Sequence, residues 1–141
     1  MISVYTASGW PFRADIAKIN ERLNRVLGVK VISTWIENED GDNSPANCGV
    51  DAKRDTDQVA ACDVLLAIMN DAQYAYRGTW TEIGFALGTG KRVIVVCPGL
   101  GSERANTPTS YAYSHVCQTN VFFWHPAITR VRTLEEAIAL L

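Results

Sequence analysis

The chain has 141 residues, a size typical of one domain, and 48% of them are hydrophobic, which is enough to form a packed core. Its 13 basic residues nearly balance its 15 acidic ones, so it lacks the positive excess that neutralises the phosphates of a nucleic acid. We therefore expect a single domain over 1–141 that binds a small polar molecule rather than a nucleic-acid polymer.

Strand-like and helix-like patterns alternate along the chain. Apolar runs such as VLLAIM and RVIVVC indicate strands buried on both faces, and apolar residues three and four apart indicate amphipathic helices. Loops rich in Gly, Asn, Pro or Ser are predicted over 37–49 and 98–118. The predicted elements, in chain order, are strand 2–7, helix 15–27, strand 29–35, helix 51–62, strand 64–69, helix 79–88, strand 92–97, strand 121–124 and helix 133–141.

This alternation predicts a doubly wound α/β fold of the flavodoxin or Rossmann type, with a mostly parallel five-stranded sheet and helices on both faces. Ligands bind such sheets beyond the carboxyl ends of the strands, where the strand order reverses. We expect the reversal between the first and third strands. The segments that follow those strands, 8–13 and 70–82, should therefore contain the site.

No targeting, membrane or zinc-binding pattern is apparent in the sequence. The first residues, MISVY, lack the charged and apolar regions of a signal peptide, and no apolar run approaches a membrane span. The cysteines form no CxxC pair, and neither His115 nor His125 is assigned a catalytic role. We expect a cytoplasmic protein with reduced thiols.

The stretch RGTWTEIGFALG at 77–88 allows two interpretations. Thr79 and Glu82 have the spacing of a capping box, in which Glu82 only satisfies the backbone at the start of a helix. Alternatively, Glu82 faces the ligand crevice, where the positive helix end keeps it ionised for attack on an anomeric carbon. Gly78 would let the backbone approach a ligand. Spacing alone favours the capping box, and the same spacing at 133–136 is interpreted as purely structural.

Several motifs together resemble one known family. GTWTEIGFALGTGKRVIVV at 78–96 is similar to the signature of the nucleoside 2-deoxyribosyltransferase family, which includes nucleotide N-glycosidases. VYTASGWPF at 4–12 resembles the family's first strand and turn. Asp55, eight residues before the aspartate of AACDVLLA, matches a family aspartate on the helix that leads into the third strand. The resemblance extends in order over 2–97.

The resemblance implies an enzyme that cleaves or transfers the N-glycosidic bond of a nucleoside or nucleotide, without metal or cofactor. The family glutamate that matches Glu82 attacks C1′ and displaces the base, and a second base or water resolves the covalent intermediate. Asp55 would hold Glu82 or the sugar hydroxyls, or pass a proton to the departing base. A solvated position on a charged helix face is the alternative for Asp55.

Other matches imply contacts with the substrate. Tyr5 would lie near the sugar, Trp10 would stack on the base, and Arg13 beside Gly9 would bind a 5′-phosphate, although packing or surface positions are the commoner explanation for such residues. The catalytic residues are predicted to be Glu82, Asp55 and Tyr5. Substrate contacts are predicted from Ser8, Gly9, Trp10, Arg13, Tyr76, Gly78 and Thr79.

One position departs from the family pattern. Members that exchange bases usually carry an aspartate two residues before the signature glycine, where this chain has Tyr76. Its absence favours hydrolysis or an altered base preference, and Asp71 in the same loop is a candidate substitute. The family also takes a sugar-contacting residue from a neighbouring subunit, so a homo-oligomer is expected, with Asn106, Ser114 or Asn120 as candidates.

Other functions compete with this interpretation. A non-catalytic nucleotide-binding module on the same fold needs neither Asp55 nor an ionised Glu82. A receiver domain is disfavoured because no acidic pair follows the first strand, and a flavodoxin carrier because the first turn lacks a run of hydroxyl residues. NAD-cleaving TIR-type domains, which also use a glutamate near a ribose, are a more distant alternative.

Overall fold

The computed structural model describes residues 1–38, 43–99 and 116–141, which form one sheet flanked by helices. The strands are β1 (Ile2–Ala7), β2 (Val29–Val31), β3 (Val64–Ile68), β4 (Arg92–Val96) and β5 (Ile128–Val131). The helices are α1 (Arg13–Leu23), α2 (Pro45–Ala61), α3 (Arg77–Gly88) and α4 (Leu134–Ile138). Short 3-10 turns lie at Trp10–Phe12, Trp35–Glu37, Val116–Thr119 and Val121–Trp124.

All strand pairs are parallel, and the order across the sheet is β2-β1-β3-β4-β5. The chain moves outward from β1 to β2 and then returns to place β3 on the other side of β1. The order therefore reverses between β1 and β3, as predicted, and a crevice forms beyond their carboxyl ends. The predicted doubly wound α/β fold is confirmed.

The two faces of the sheet are covered by different helix pairs. Arg22 of α1 lies 2.7 Å from Glu135 of α4, which places these two helices on one face, and α2 packs against α3 on the other. Side chains of β1 alternate between the faces. Tyr5 points toward α3, where its hydroxyl meets Glu82, and Thr6 points toward α1, where its hydroxyl donates to Asn20.

The core follows from the apolar character of the central strands. Every residue of β3 is buried, as expected for a strand covered by helices on both sides. All residues of β4 after Arg92 are buried as well. Because the central strands are fixed by this burial, the loops at their carboxyl ends are held on a rigid base.

The predicted fifth strand is wrong. Residues Val121–Trp124 form a 3-10 turn, and β5 lies at Ile128–Val131. The Asn120 side chain accepts a hydrogen bond from the N–H of Phe122 at 2.9 Å, and of the first three residues in the turn only Phe123 is buried. A short apolar run does not distinguish a strand from a helical turn, and here the Asn cap selects the turn.

Some predicted boundaries also differ from the structure. β2 ends at Val31, because Trp35 belongs to a 3-10 turn from which its indole donates to the carbonyl of Thr6 at 2.7 Å. α2 begins at Pro45, six residues before the predicted start, because the hydroxyl of Ser44 caps it and proline suits the first helical position.

Two further features bear on the environment of the protein. Within the three described ranges, no helix combines the length and apolar character that spanning a bilayer requires. Cys62 and Cys97 are buried, and Cys48 is exposed. The buried pair occupies the apolar positions expected of cysteines that serve as small hydrophobic residues.

Candidate active site

A cleft of about 500 Å³ opens beyond the carboxyl ends of β1 and β3. Its walls come from the segment after β1, the turn after β2, the middle of α2, and the loop and first turns that follow β3. Predicted residues that line the cleft are Glu82, Asp55, Ser8, Gly9, Trp10, Tyr76, Gly78 and Thr79. Lining residues that sequence reasoning did not assign are Trp35, Asn38, Asn43, Asp51, Tyr74 and Arg77.

Glu82 lies at the base of this cleft in contact with Tyr5. The Tyr5 hydroxyl, fully buried on β1, donates to Oε1 of Glu82 at 2.6 Å. Within the described residues, Oε2 of Glu82 accepts no hydrogen bond, so one carboxylate oxygen is fixed and the other remains available. The sheet thus supplies the residue that orients the carboxylate, and α3 supplies the carboxylate itself.

Burial controls the ionisation of Glu82. Desolvation raises the pKa of Glu82 to about 7, the charge of Asp55 adds to the rise, and the hydrogen bond from Tyr5 opposes it. The same surroundings raise the pKa of Tyr5 far above its usual value, so Tyr5 is a permanent donor. Glu82 therefore changes its charge near neutral pH, as carboxylates at functional sites often do.

The capping-box interpretation of Thr79 and Glu82 is wrong. α3 begins at Arg77, and its cap residue Tyr76 has a left-handed φ of 50° and makes no side-chain cap bond. Glu82 is the sixth helical residue and binds Tyr5 instead of the helix start. For the same reason the helix end does not hold the pKa of Glu82 down, and burial dominates.

Thr133 and Glu136 show what a capping contact looks like in this fold. The Thr133 hydroxyl accepts from the N–H of Glu136 at 3.1 Å, and the Glu136 carboxylate accepts from the N–H of Arg132 at 2.7 Å. The structural role predicted for this pair is confirmed. By contrast, Thr79 is buried inside α3, and its Oγ1 has no hydrogen-bond partner among the described residues.

Asp55 faces the cleft from α2, on the wall opposite the start of α3. Its side chain is 22% exposed, whereas the neighbouring Lys53 and Asp57 side chains are 76% and 63% exposed. Burial raises the pKa of Asp55, although Arg54, which donates to its carboxylate, opposes the rise. Asp55 is therefore distinct from the solvated charges of the same helix.

Aromatic rings form the remaining walls of the cleft. Trp10 and Trp35 have their ring centroids 6.4 Å apart and are tilted by 49°. The ring of Tyr74 lies so close to Gly9 that a Cβ there would come within 2.8 Å of Cζ of Tyr74. Gly9 is thus required for close packing against Tyr74, and the flat rings suit a nucleobase.

Tyr76 and Asp71 serve the loop that they belong to. Tyr76 is 1% exposed, and its hydroxyl accepts from the backbone N–H of Asp71 at 2.9 Å. The Asp71 carboxylate accepts from the N–H of Gln73 at 2.8 Å, and Asp71 does not line the cleft. Asp71 therefore does not substitute in the cleft for the family aspartate whose position Tyr76 occupies.

Arg13 lies outside the cleft lining. Its guanidinium sits over the Trp10 ring, 4.5 Å from the centroid, and donates to the Trp10 carbonyl at 3.3 Å. Among the described lining residues the one cation is Arg77, an exposed side chain at the start of α3. The sequence could have indicated Arg77, which falls in the segment predicted to contain the site.

Some predicted contributors cannot be placed in the cleft. Asn106 and Ser114 lie outside the described residues, and Asn120 caps the turn that precedes β5. Among the described residues, no group of three or more His, Cys, Asp or Glu side chains is arranged to hold a metal ion. The described cleft is thus lined by carboxylates, aromatic rings, amides, hydroxyls, glycines and one arginine.

Comparisons with known proteins give one family match and several structural matches. The family model for nucleoside 2-deoxyribosyltransferase matches residues 4–110 of the chain. A solved 2-deoxyribosyltransferase of Bacillus psychrosaccharolyticus is 25% identical, with a TM-score of 0.57 over 68% of this chain and 72% of that one. No curated protein matches the sequence significantly.

Two more distant structures share the fold. A 2-desoxiribosyltransferase from Leishmania mexicana is 18% identical, with a TM-score of 0.61 over 99% of this chain and 96% of that one. A CMP N-glycosidase of Clostridium botulinum is 21% identical, with a TM-score of 0.52 over 98% of this chain and 95% of that one. Both are similar to the chain in fold over nearly its whole length.

Proposed function

The chain belongs to the nucleoside 2-deoxyribosyltransferase family, and from this premise we propose that it cleaves or transfers the N-glycosidic bond of a nucleoside or nucleotide through a covalent glycosyl-Glu82 intermediate. The observation that carries the proposal is the carboxylate of Glu82, fixed through Oε1 by Tyr5 at 2.6 Å at the base of the cleft. Nucleophilic catalysis needs such a group, because a carboxylate already held in place loses little conformational entropy when it reacts with the bound sugar.

In the first step, Oε2 of Glu82 attacks C1′ of the sugar. The bond between C1′ and the base nitrogen breaks, its electron pair leaves with the base, and an ester joins C1′ to Glu82. The transition state has oxocarbenium character, which an adjacent negative charge stabilises. The Tyr5 hydroxyl keeps Oε1 in place throughout, because burial and the charge of Glu82 raise its pKa and so keep its proton on the oxygen.

In the second step, water or another nucleobase attacks C1′ from the face that the first base has left. The ester bond breaks and Glu82 recovers its carboxylate. The proton that the attacking water or base loses passes to Asp55, which has given its own proton to the first base. Two successive displacements at C1′ retain the anomeric configuration of the sugar. Water yields a free sugar, and a base yields a new nucleoside, so both activities use the same intermediate.

Asp55 is the second carboxylate of the mechanism. It faces the cleft across from α3, and burial raises its pKa, so it holds a proton closer to neutral pH than an exposed aspartate does. A departing base needs a proton on its nitrogen, and a carboxylic acid in the cleft can donate one. In its ionised form the same group accepts hydrogen bonds from sugar hydroxyls.

The walls of the cleft suit a nucleoside. Trp10, Trp35 and Tyr74 offer flat surfaces for a base, and stacking on such rings contributes roughly 1–3 kcal/mol per base. Ser8 also lines the cleft, and its hydroxyl donates to the carbonyl of Ile68 at 2.8 Å. Hydrolysis is favoured over exchange, because Tyr76 replaces the carboxylate with which exchanging relatives would hold a base.

A direct assay tests this function against a non-catalytic binding module. The protein is incubated with a panel of deoxynucleosides and their 5′-phosphates, with and without an acceptor base, and products are separated by chromatography. Free base without acceptor indicates hydrolysis, and a new nucleoside with acceptor indicates transfer. Binding of the substrates without release of base would support the binding module instead.

A further inference from the structure

Arg54 is not part of the cleft lining, yet its guanidinium contacts three side chains that are. Nε and Nη2 donate to Oδ1 of Asp55 at 3.1 and 3.0 Å. Nη1 donates to Oδ1 of Asn38 at 2.7 Å and lies 3.2 Å from Oδ1 of Asp51. One cation thus joins two acidic residues of α2 to an amide in the segment after β2.

The contact between Arg54 and Asp55 is unusual for a helix. Adjacent helical residues do not face each other, and helical ion pairs normally form at a spacing of three or four. Here the Arg54 guanidinium nevertheless contacts the Asp55 carboxylate, and the two side chains are 29% and 22% exposed. Only arginine has donors in a rigid planar fork that reaches several acceptors at once.

The hydrogen bonds leave a specific part of Asp55 available. Both bonds from Arg54 go to Oδ1, and Oδ2 of Asp55 accepts none from the described residues. Asp55 is thus anchored through one oxygen and presents the other, as Tyr5 anchors Glu82. Glu82 and Asp55 are thus each held through one oxygen by a residue that does not itself line the cleft.

We propose that Arg54 is a positioning residue that fixes Asp55, Asp51 and Asn38 as one wall of the substrate site. The inference rests on the proposed function, because Arg54 can position these side chains for a substrate only if the cleft binds a nucleoside. It adds a residue that acts through others and has no contact with the reacting atoms. Through Arg54, the segment after β2 is also linked, at Asn38, to the carboxylates of Asp51 and Asp55.

The charge of Arg54 supports the same role. The charged and titratable groups that interact with Asp55 are Arg54 and Asp51 on α2, Glu82 on α3 and Tyr5 on β1. Arg54 is the one cation in this set, and it lowers the pKa of Asp55 against the effect of burial. Removing Arg54 therefore raises the pKa of Asp55 further and loosens its carboxylate at the same time.

Three variants separate the charge of Arg54 from its geometry. Arg54→Gln removes the cation, Arg54→Lys keeps the charge but not the fork, and Lys53→Gln removes a neighbouring exposed cation whose ion pair is with Asp57. The Asp55 carboxyl is titrated by carbon NMR in each variant and in the unmodified protein. Rates of base release give kcat and KM, and thermal melting verifies the fold.

We expect Arg54→Gln to raise the pKa of Asp55, because it removes the cation that lowers it, and to lower kcat/KM at least about tenfold. Arg54→Lys should restore most of the pKa but not the kcat/KM. Lys53→Gln should leave both unchanged. Equal values for Arg54→Gln and Lys53→Gln in an active protein would overturn the inference.

Failure of the proposed function has a different signature. If the unmodified protein releases no base from any substrate of the panel, the enzyme assignment fails, and with it the purpose of the wall. If Arg54→Gln does not fold, Arg54→Lys decides, because an unchanged kcat/KM in that variant would overturn the need for the guanidinium fork. The two proposals are therefore tested by separate measurements.

Discussion

The hydroxyl of Tyr5 and Oε1 of Glu82 lie 2.6 Å apart although 77 positions separate the residues in the chain. The contact joins the interior strand β1 to helix α3 and anchors a carboxylate where burial disfavours its charged form. Burial of this kind lowers stability, and proteins retain it where a reactive group is needed. The properties of this pair lead to the first two predictions.

Glu82→Gln should abolish base release and stabilise the protein at alkaline pH. The pKa of Glu82 is raised to about 7, so the folded state keeps a proton that the unfolded chain loses at lower pH. The contribution of Glu82 to stability therefore falls as pH rises from the usual glutamate range through about 7. Melting temperatures at pH 5 and pH 8 should show a larger gain at pH 8.

The control for this prediction is Glu21→Gln, which changes an exposed glutamate of α1 outside the cleft. It should retain activity and alter the melting temperature equally at both pH values. An active Glu82→Gln variant would show that Glu82 is not the nucleophile. A variant less stable than the unmodified protein at pH 8 would show that burial does not disfavour the charge of Glu82.

The pH dependence of kcat/KM should report the ionisation of Glu82. Only the ionised carboxylate of Glu82 attacks C1′, so the limb of the profile on which kcat/KM rises with pH should have its inflection at about 7. Tyr5→Phe removes the hydrogen bond that lowers the pKa of Glu82, so the inflection should move to higher pH. An inflection that stays in place, or moves to lower pH, would contradict the role of Tyr5.

Gly9→Ala should weaken substrate binding more than it weakens the fold. The new Cβ would lie 2.8 Å from Cζ of Tyr74, so that ring must turn away from its place in the cleft wall. Overpacking of this kind costs about 1–3 kcal/mol. We expect a raised KM, a nearly unchanged kcat and a modest fall in melting temperature, measured by steady-state kinetics and calorimetry.

Gly49→Ala provides the matched control, because nothing lies within 4 Å of a Cβ at that exposed position of α2. It should stabilise the helix by about 0.5–1 kcal/mol without affecting KM. The packing explanation for Gly9 would be abandoned if both variants gave the same KM.

Thr79→Val should stabilise the free protein. The buried Oγ1 of Thr79 has no hydrogen-bond partner among the described residues, and an unsatisfied buried hydroxyl costs about 1–3 kcal/mol. Valine has nearly the same shape, so urea unfolding should show a gain of about 1 kcal/mol. Thr81→Val, at an exposed position of the same helix, should show none. An unchanged KM in Thr79→Val would show that the Thr79 hydroxyl does not contribute to substrate binding.

The position of the cleft follows from features that are visible in the sequence. The continuous apolar runs of β3 and β4 indicate strands that are buried on both faces, and such burial requires helices on both sides of the sheet. This arrangement brings the loops after β1 and β3 together at the carboxyl ends of the strands. The segments after β1 and β3 do line the cleft, through Ser8 and Gly78 among others. Tyr5 and Glu82 are predicted by their place in motifs that resemble those of the family.

Other features depend on three-dimensional packing that no local pattern encodes. Trp35 and Asn38 line the cleft because β2 stops after three residues and turns, whereas the apolar run suggested a longer strand. Asp55 and Arg54 are adjacent in sequence, and helical periodicity gives no reason for their side chains to meet. The sequence predicts Arg13 at a 5′-phosphate, whereas in the structure its guanidinium lies over the ring of Trp10 and outside the cleft lining.

The most direct test of the mechanism is the mass of the protein during turnover. Protein mixed with a deoxynucleoside, quenched in acid and digested should yield one peptide that carries the mass of the sugar, with the modification on Glu82. The same adduct should be missing from Glu82→Gln. Base release without any adduct, an adduct on another residue, or a product of inverted configuration would contradict a glycosyl-Glu82 intermediate.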